Sequence, residues 1–418
     1  MTRSCEPGRA TISGARRAAG AVAAGILAAV LAACSGGGSS NPPAASPSTG
    51  TAAATTPHPP ATGSQAADVV IATGLRSPWG LAFLPNRDVL VGERDSGQIM
   101  LLPTDPAVSS GYGKPRLLGT VPDVHHAGEG GLLGLAVSPT FAADQLVYAY
   151  LTTNTDNRIV RFTLDGGDAG TLPRLGAPHP ILTGLAAGTF HDGGRIAFGP
   201  DGMLYAGVGD ATEPSRSQNL ASLNGKILRM RPDGSVPPGN PFPNSLVYSY
   251  GHRNVQGLAW DSAGRLWETE FGQNRWDEIN LIRPGANYGW PLVEGIGDTQ
   301  GGRFANPVVT WPVDQASPSG AAIIDDTLYA AALRGQRIWS VDLRPSLDAA
   351  PALTTASSGS GSAGAALQVG TPQALRATAY GRLRTLAVAP DGTLWVTTSN
   401  TDSRGKPAPD DDRVISLR

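Results

Sequence analysis

The chain has 418 residues, of which 54 are glycine and 35 are proline, and its formal net charge at pH 7 is −2. A chain of this length can bury a large core in one domain, although two or three domains are also compatible with it. Glycine and proline are both unfavourable in helix interiors, so the composition predicts many short strands joined by tight turns. The near-neutral charge gives no indication of a nucleic-acid partner.

The N-terminus has the features of an export signal. Arginine residues near the start are followed by a short apolar stretch at 18–33, which ends in Leu-Ala-Ala-Cys at Cys34. This pattern resembles a bacterial lipobox, which implies cleavage before Cys34 and acylation of that cysteine. The alternative is a transmembrane anchor, but the 16 apolar residues fall short of the roughly 20 needed to span a bilayer. We therefore predict a lipoprotein signal peptide over residues 1–33.

The segment that follows is predicted to be a flexible linker. Residues 34–66 contain mainly Gly, Ser, Pro, Thr and Ala, with almost no charge or large apolar side chain to bury. Removing residues 1–33 would leave 28 basic and 33 acidic residues, a net charge of 28 − 33 = −5. Both cysteines, Cys5 and Cys34, precede residue 67, so the globular domain predicted over 67–418 contains no disulfide or cysteine metal site.

A repeated pattern runs through the predicted globular domain. Each unit has an apolar strand, a turn containing Pro, Asp or Gly, and a second strand with an aromatic residue. Six units match, at 79–93, 132–150, 195–209, 256–269, 320–333 and 386–398. Their spacing of roughly 60 residues leaves room for four strands each, so we predict an all-β, six-bladed β-propeller of four-stranded blades. A β-sandwich is the alternative, but six copies at this period disfavour it.

Closure of a propeller would remove its open sheet edges. We expect the strand near residues 69–71 to complete the last blade beside residues 414–417. The Gly/Ser-rich run at 357–364 is predicted to be an exposed loop of the fifth or sixth blade. Functional side chains should then come from loops at equivalent points of several blades and converge on the central axis.

Polar residues occur at such equivalent points. His191 precedes the first strand of the third unit and Asp210 follows its second strand, so the intervening turn should return Asp210 to His191. A carboxylate beside an imidazole suits a general base, although from these residues alone a surface histidine is the alternative. Arg253 and Asn254 precede the fourth unit at the same relative place. Arginine can bind anionic or carbonyl oxygens, and the alternative is pairing with a structural carboxylate.

Three sequence blocks carry a resemblance to a known family. They are Gly-His-Arg-Asn-Val-Gln-Gly-Leu at 251–258, Asp-Glu-Ile-Asn at 277–280 and Asn-Tyr-Gly-Trp-Pro at 287–291. In this order they resemble the soluble aldose and glucose dehydrogenases that depend on pyrroloquinoline quinone. The likeness covers roughly residues 74–398, and it implies a quinoprotein that oxidises the C1 hydroxyl of an aldose to a lactone.

The resemblance also implies roles for individual residues. His191 matches the family's catalytic base and Asp210 its orienting carboxylate, while Arg253 and Asn254 match contacts to the quinone carbonyls. Arg253 would also stabilise the oxyanion formed on reduction. The carboxylates of the cofactor would be bound by the arginines at equivalent loop positions, namely Arg334, Arg382 and Arg384.

Calcium sites are implied in the same way. The backbone carbonyls of Gly272 and Gln273 match ligands of the Ca²⁺ that also binds the quinone, and carbonyl oxygen is a suitable ligand for this ion. Glu278 and the Tyr288 carbonyl match a second, structural calcium site. Without the resemblance, Asp277 and Glu278 would be interpreted as a solvated acidic turn.

Two departures from the glucose enzymes concern the substrate. Glu129 and Phe271 each replace a glutamine beside the predicted pocket, and with Asp277 they form the predicted substrate-contacting set. Two other function classes therefore stay open. One is a propeller that binds a ligand or glycan without oxidising it, and the other is a calcium-dependent lactonase, which would leave the basic residues unexplained.

The remaining expectations concern single residues and the cellular context. His252 is predicted to be structural, and Trp290 to be a core residue rather than a cofactor contact. His125 and His126 lack a third ligand at a diagnostic spacing and are interpreted as an exposed loop. The signal predicts a lipid anchor on the extracytoplasmic face of a bacterial membrane, with an aldose substrate and an unknown electron acceptor, either a respiratory quinone or a redox protein, as partners.

Overall fold

The strands of this protein form six small antiparallel sheets, each the size of one predicted repeat. The computed structural model describes residues 67–166, 172–348 and 367–418. The predicted signal peptide, the linker, Cys34 and the Gly/Ser run at 357–364 lie outside these residues. In the described part of the chain, three helices of four or five residues accompany the strands: α1 Phe141–Asp144, α2 Ser215–Gln218 and α3 Arg344–Asp348.

The first three blades follow the chain in order. Blade 1 contains β2 Pro78–Phe83, β3 Val89–Glu93, β4 Gln98–Leu102 and β5 Arg116–Thr120. Blade 2 contains β6 Leu132–Val137, β7 Leu146–Thr152, β8 Asn157–Asp165 and β10 His179–Leu185, with the short β9 Arg174–Leu175 paired to β8. Blade 3 contains β11 Ile196–Phe198, β12 Leu204–Val208, β13 Lys226–Met230 and β14 Val247–Tyr250.

The other three blades complete the ring. Blade 4 contains β15 Val255–Trp260, β16 Leu266–Glu270, β17 Trp276–Ile282 and β18 Val309–Pro312. Blade 5 contains β19 Pro318–Ile324, β20 Thr327–Ala332, β21 Arg337–Asp342 and β22 Gln373–Leu375. Blade 6 contains β23 Leu383–Val388, β24 Leu394–Thr398, β25 Val414–Leu417 and β1 Val69–Ala72.

The blades are arranged as a closed ring. The first strands of neighbouring blades contact one another in the order β2, β6, β11, β15, β19, β23 and back to β2. The predicted all-β, six-bladed β-propeller is therefore confirmed. The second strands β12, β16 and β24 are buried along their whole length, because each sheet packs between two others.

Hydrophobic packing fills the space between adjacent blades. The described residues form six buried clusters, one at each of the six blade interfaces. Trp267, fully buried between blades 4 and 5, is one of the largest side chains in these clusters. Burying a side chain of this kind contributes roughly 1.5–3 kcal/mol, so every blade interface contributes to the stability of the ring.

The ends of the chain close the ring, as expected. β1 pairs antiparallel with β25, with Val69 opposite Ser416 and Val70 opposite Ile415. Asp68, just before β1, accepts hydrogen bonds from Arg376 Nε at 2.7 Å and Nη2 at 2.9 Å. This closure pairs the first described strand with the last and removes two open sheet edges. Within the described residues, none of the helices has the length and apolarity required to span a bilayer.

Candidate active site

The predicted polar residues lie on one face of the propeller, because loops before first strands and after second strands emerge at the same end of each blade. A cavity of about 330 Å³ opens among these loops. It is lined by Glu129, Phe190, His191, Arg253, Asn254, Phe271, Gly272, Gln273, Asp277, Val313, Ser317, Arg334 and Arg404. Loops from blades 2 to 6 contribute, so the cavity exists only when the ring is closed.

The histidine and aspartate of blade 3 meet as the turn geometry predicts. His191 Nδ1 lies 2.8 Å from Asp210 Oδ1. The Asp210 side chain is fully buried, whereas 17% of the His191 side chain is exposed. Asp210 Oδ1 also accepts the Thr212 backbone N–H at 2.8 Å. Since a carboxylate acceptor at Nδ1 fixes the proton on that nitrogen, Nε2 is left free to accept a proton.

The backbone of His191 is held in an unusual conformation. Its φ is +64°, in the left-handed region that non-glycine residues rarely adopt. Glu129 Oε2 accepts the His191 backbone N–H at 3.0 Å, and the Ala211 N–H donates to the His191 carbonyl at 3.1 Å. Gly209 packs so closely under this carbonyl that an added Cβ would overlap it. The loop is therefore fixed from three sides and presents the imidazole to the cavity.

Arg253 and Asn254 form the neighbouring wall. The carboxylate of Glu270 accepts the backbone N–H groups of both residues. Arg253 Nη1 donates to the Phe271 carbonyl at 3.1 Å, and Arg253 Nε is buried without a hydrogen-bond partner among the described residues. Burial lowers the pKa of Arg253 from its usual value, against the opposing charges of Asp210 and Glu270. An unsatisfied guanidinium of this kind suits an anionic or carbonyl ligand.

Glu129 joins the two walls. Its Oε2 also accepts Asn254 Nδ2 at 3.2 Å, and its Oε1 lies 3.3 Å from Arg404 Nη1. Burial would raise the pKa of Glu129, but the His191 backbone N–H and the charge of Arg404 hold it below its ordinary value. The carboxylate is thus occupied by protein donors. A contact between Glu129 and substrate, as predicted from the sequence, stays a prediction.

Besides Arg253, four arginines lie in or near this site, and only two of them line the cavity. Arg334 and Arg404 line the cavity, and the Arg404 guanidinium lies over the exposed ring of Phe190 at 5.5 Å. Arg382 and Arg384 do not line it: Arg382 Nη2 pairs with Asp402 at 2.9 Å, and Arg384 is buried behind the wall, 3.2 Å from Gln256 Oε1. Their predicted roles toward a cofactor stay predictions.

A turn between β16 and β17 supplies two carbonyl groups. Glu294 Oε1 accepts the N–H groups of Gln273 at 2.8 Å and Asn274 at 3.0 Å. Because a trans peptide points its C=O opposite to its N–H, the carbonyls of Gly272 and Gln273 face away from Glu294. Neither carbonyl accepts a hydrogen bond from the described residues. Two free carbonyls at a cavity wall fit a hard cation such as Ca²⁺.

Asp277 fixes this turn from beneath. Its Oδ1 accepts the Gly272 N–H at 2.9 Å, and its Oδ2 accepts the Ser317 N–H at 2.6 Å. Burial raises the pKa of Asp277 to about 6, against those two donors and the charge of Arg253. Phe271 lines the cavity beside it. Substrate contact by Asp277 and Phe271 stays a prediction, and the carboxylate of Asp277 already has two backbone donors.

The residues of the predicted second calcium site lie outside the cavity lining. Glu278 accepts the Gly295 N–H at 2.7 Å and Asn280 Nδ2 at 3.1 Å. Burial, together with the charge of Glu270, raises the pKa of Glu278 to about 8. Glu268 is also fully buried nearby, and its Oε2 lacks a partner among the described residues. The buried carboxylates of Glu268 and Glu270 beside the half-buried Glu278, with one oxygen unpaired, fit a bound cation.

Two aromatic rings of the same region are structural. The Tyr288 hydroxyl donates to the Leu281 carbonyl at 2.7 Å, and its ring stacks on His252 at 4.8 Å. His252 is fully buried between Ser249 Oγ at 2.8 Å and Glu270 Oε2 at 2.9 Å, which agrees with its predicted structural role. Calcium binding by Glu278 and the Tyr288 carbonyl stays a prediction.

Sequence reasoning overlooked four residues of the cavity lining, namely Phe190, Val313, Ser317 and Arg404, and the polar contact of Trp290. Phe190 and Arg404 line the cavity but carried no motif that would have indicated them. Trp290 is buried, as predicted for a core residue, but its Nε1 donates to Asp210 Oδ2 at 2.8 Å and its ring lies 5.5 Å from the Arg253 guanidinium. The predicted exposed loop at His125 and His126 is observed.

Comparison with known proteins gives consistent similarities. A solved structure of the PQQ-bound form of an aldose sugar dehydrogenase from Streptomyces coelicolor is 49% identical, with a TM-score of 0.74, over 86% of this chain and 99% of that one. Quinoprotein glucose dehydrogenase B of Acinetobacter calcoaceticus is 34% identical over 57% of this chain and 55% of its own length. Aldose sugar dehydrogenase YliI of Escherichia coli is 32% identical over 53% of this chain and 61% of its own.

The matches to these two curated relatives therefore span little more than half the length of each. The sequence model of the family described as Glucose / Sorbosone dehydrogenase, in contrast, matches residues 75–406, which include every strand except β1 and β25. The chain belongs to the Glucose / Sorbosone dehydrogenase family.

Proposed function

We propose that this protein is a quinoprotein dehydrogenase that oxidises an aldose at its C1 hydroxyl to the lactone, with pyrroloquinoline quinone and Ca²⁺. The observation that carries the proposal is that His191, paired with the buried Asp210, lines the same cavity as Arg253. A general base beside a guanidinium is the arrangement that removal of a hydroxyl proton and a hydride requires. The similarity to a PQQ-bound aldose sugar dehydrogenase at 49% identity supports it.

The residues present fit the proposed cofactor. Pyrroloquinoline quinone carries three carboxylates, and the cavity wall provides the positive charges of Arg253, Arg334 and Arg404. Arg253 has the unpartnered, buried Nε atom described above. The free carbonyls of Gly272 and Gln273 would hold Ca²⁺ at the same wall. When bound, the quinone would supply the acceptor for a hydride, that is for two electrons and one proton, and Ca²⁺ would supply a Lewis acid.

A side chain of the protein would accept the proton that the substrate loses. His191 Nε2 would accept the proton of the C1 hydroxyl as the C1–H bond breaks. The Asp210 carboxylate at Nδ1 stabilises the imidazolium that forms. Arg253, with Asn254 beside it, would donate hydrogen bonds to an oxygen on which negative charge develops. Phe190 and Phe271 would offer apolar surfaces to the sugar ring, while Asp277 would support the turn that holds the cation.

The sequence before the propeller supports a proposed location. Signal residues 1–33 and Cys34 would give a lipid-anchored protein on the extracytoplasmic face of a bacterial membrane, with residues 34–66 as a tether. A respiratory quinone or a redox protein would then reoxidise the cofactor. Labelling with a radioactive fatty acid tests the anchor, and Cys34→Ala should abolish the label if the proposal is correct.

Reconstitution tests the proposed activity directly. The purified protein is titrated with pyrroloquinoline quinone in the presence and absence of Ca²⁺, and then assayed with aldoses and an acceptor dye. We expect saturable, calcium-dependent binding and dye reduction with lactone as product. Binding without turnover on any aldose would favour the alternative of a ligand-binding propeller, and failure to bind the quinone would refute the proposed cofactor.

A further inference from the structure

We propose that Trp290 is a positioning residue that acts through Asp210. Its indole would fix the aspartate that orients His191 and, through the same ring, the guanidinium of Arg253. Nothing in the established family membership requires this of Trp290, which the sequence pattern marks only as a core residue. The inference deepens the proposed function, because its kinetic consequences rest on His191 being the base. Its structural consequences can be measured without any cofactor.

The first step concerns the two oxygens of Asp210. Oδ1 faces His191 Nδ1 at 2.8 Å and also accepts the Thr212 N–H at 2.8 Å. Oδ2 accepts the Trp290 indole N–H at 2.8 Å, and this is its only donor in the described part of the chain. Asp210 is fully buried. Without the indole, Oδ2 would be an unsatisfied oxygen of a buried carboxylate, which is costly.

The second step concerns how Trp290 itself is fixed. Its backbone N–H donates to the Gly251 carbonyl at 2.9 Å, and its carbonyl accepts Gln218 Nε2 at 2.7 Å. The same indole ring lies 5.5 Å from the guanidinium of Arg253. Asp210 also contacts Arg253 directly, because the Asp210 backbone N–H donates to the Arg253 carbonyl at 2.8 Å. The Trp290 indole and this backbone hydrogen bond together therefore hold the His191–Asp210 pair beside Arg253.

The third step is the electrostatic consequence. The charged groups around the His191–Asp210 pair are the carboxylates of Glu129 and Asp192 and the guanidinium groups of Arg253 and Arg216, whose Nη1 donates to the Asp210 carbonyl at 3.1 Å. Removing the indole N–H takes away a donor that stabilises the Asp210 carboxylate. The pair should then bind its proton at higher pH, so the acid limb of the pH–rate profile moves upward.

The test uses Trp290→Phe, which keeps an aromatic ring but removes the donor. Loss of one hydrogen bond to a buried charge predicts a decrease in kcat of about 10- to 100-fold, with KM little changed. The acid limb should move up by about one pH unit. In an Asp210→Asn background the same substitution should have a much smaller effect on kcat, because the acceptor carboxylate is already gone.

Trp267→Phe is the matched control. The Trp267 indole N–H also donates to a buried aspartate, Asp261 Oδ2, at 2.8 Å, and an arginine, Arg265, lies 5.6 Å from its ring. These residues are absent from the cavity lining. The control variant should lose stability to a similar degree, but its pH–rate profile should match that of the unmodified protein. An equal shift in both variants would overturn the proposal.

A second measurement is independent of catalysis. In the protein without cofactor, the indole proton signal that disappears in Trp290→Phe identifies Trp290 among the eight tryptophans. We expect this proton to exchange slowly with solvent and its resonance to move in Asp210→Asn. Fast exchange, or an unmoved resonance, would overturn the proposed hydrogen bond. If the indole behaves as expected but no aldose is oxidised, the proposed function fails while the support of Asp210 by Trp290 stands.

Discussion

Replacing Glu129 by alanine removes the group that connects the base loop to the wall formed by Asn254. Two donors lose their acceptor, the His191 backbone N–H at 3.0 Å and Asn254 Nδ2 at 3.2 Å. The third partner, Arg404, is 50% exposed, so its ion pair contributes only about 0–1 kcal/mol. The main effect is therefore expected on His191.

The expected loss of stability depends on the strength of the hydrogen bonds that Glu129 accepts and on how far water can replace them. Hydrogen bonds to a charged acceptor contribute roughly 1.5–3 kcal/mol each. Because 20% of the Glu129 side chain is exposed, water can replace part of this, and we expect a total loss of about 2–3 kcal/mol in the free energy of unfolding. The left-handed backbone of His191, with φ of +64°, costs about 1–3 kcal/mol. With the anchor gone, the strain is no longer offset and the loop can relax.

Relaxation of the loop would turn the imidazole away from the cavity in most molecules. We therefore expect kcat to fall by about 10- to 100-fold in Glu129→Ala. Dye-linked turnover of the reconstituted protein and urea unfolding measure the two effects. Arg404→Gln is the control for stability, measured in the protein without cofactor, since it removes the exposed ion pair and leaves both anchoring bonds intact. Unchanged turnover and stability in Glu129→Ala, or an equal loss of stability in Arg404→Gln, would refute this reasoning.

Three further predictions concern the same loop and the closure of the ring. His191→Ala should lower turnover by about 10²- to 10⁴-fold while the quinone still binds, and an unchanged rate would exclude His191 as the base. Gly209→Ala places a Cβ against the His191 carbonyl and should lower the free energy of unfolding by about 1–3 kcal/mol; a neutral substitution, measured by urea unfolding, would contradict the close contact. Burial would raise the pKa of Asp68, but hydrogen bonds led by that from Arg376 lower it to about 2. Because the folded pKa is depressed from 3.8, this carboxylate contributes about 1–2 kcal/mol after allowance for solvent screening, which is present above about pH 4 and lost as the pH falls toward 2. Asp68→Asn should remove that acid-sensitive part, and an identical pH dependence of unfolding in both proteins would contradict it.

The fold could be predicted because it is repeated. Each unit pairs an apolar strand with a turn and a second strand, as in 195–209, and the structure contains β11 and β12 at that place. Ring closure by residues 69–71 was also predictable, since the sixth repeat supplies no strand of its own for the outer edge of the strand at 414–417. Gln273 could also be placed in the turn between β16 and β17, because that prediction needs only the order of the strands along the chain.

The sequence predicted at which end of the blades the candidate site lies, but it did not predict every contact within the site. His191 and Asp210 are 19 positions apart within one blade, so local strand geometry was enough to bring them together. Other partners lie in different blades: Asn254 is 125 positions from Glu129, and Trp290 is 80 positions from Asp210. No local pattern encodes which donor reaches which oxygen across such distances.

The amino-acid sequence by itself determined the number of blades, the face on which the polar loops emerge and the family to which the chain belongs. Only the tertiary structure decided that Glu129 binds the loop of His191, that Arg334 and Arg404 line the cavity while Arg382 and Arg384 lie behind it, and that Trp290 reaches Asp210. The physical reason is that strand periodicity and turns act over neighbouring residues. The partner of a buried polar group, in contrast, is set by how complete blades pack around the axis.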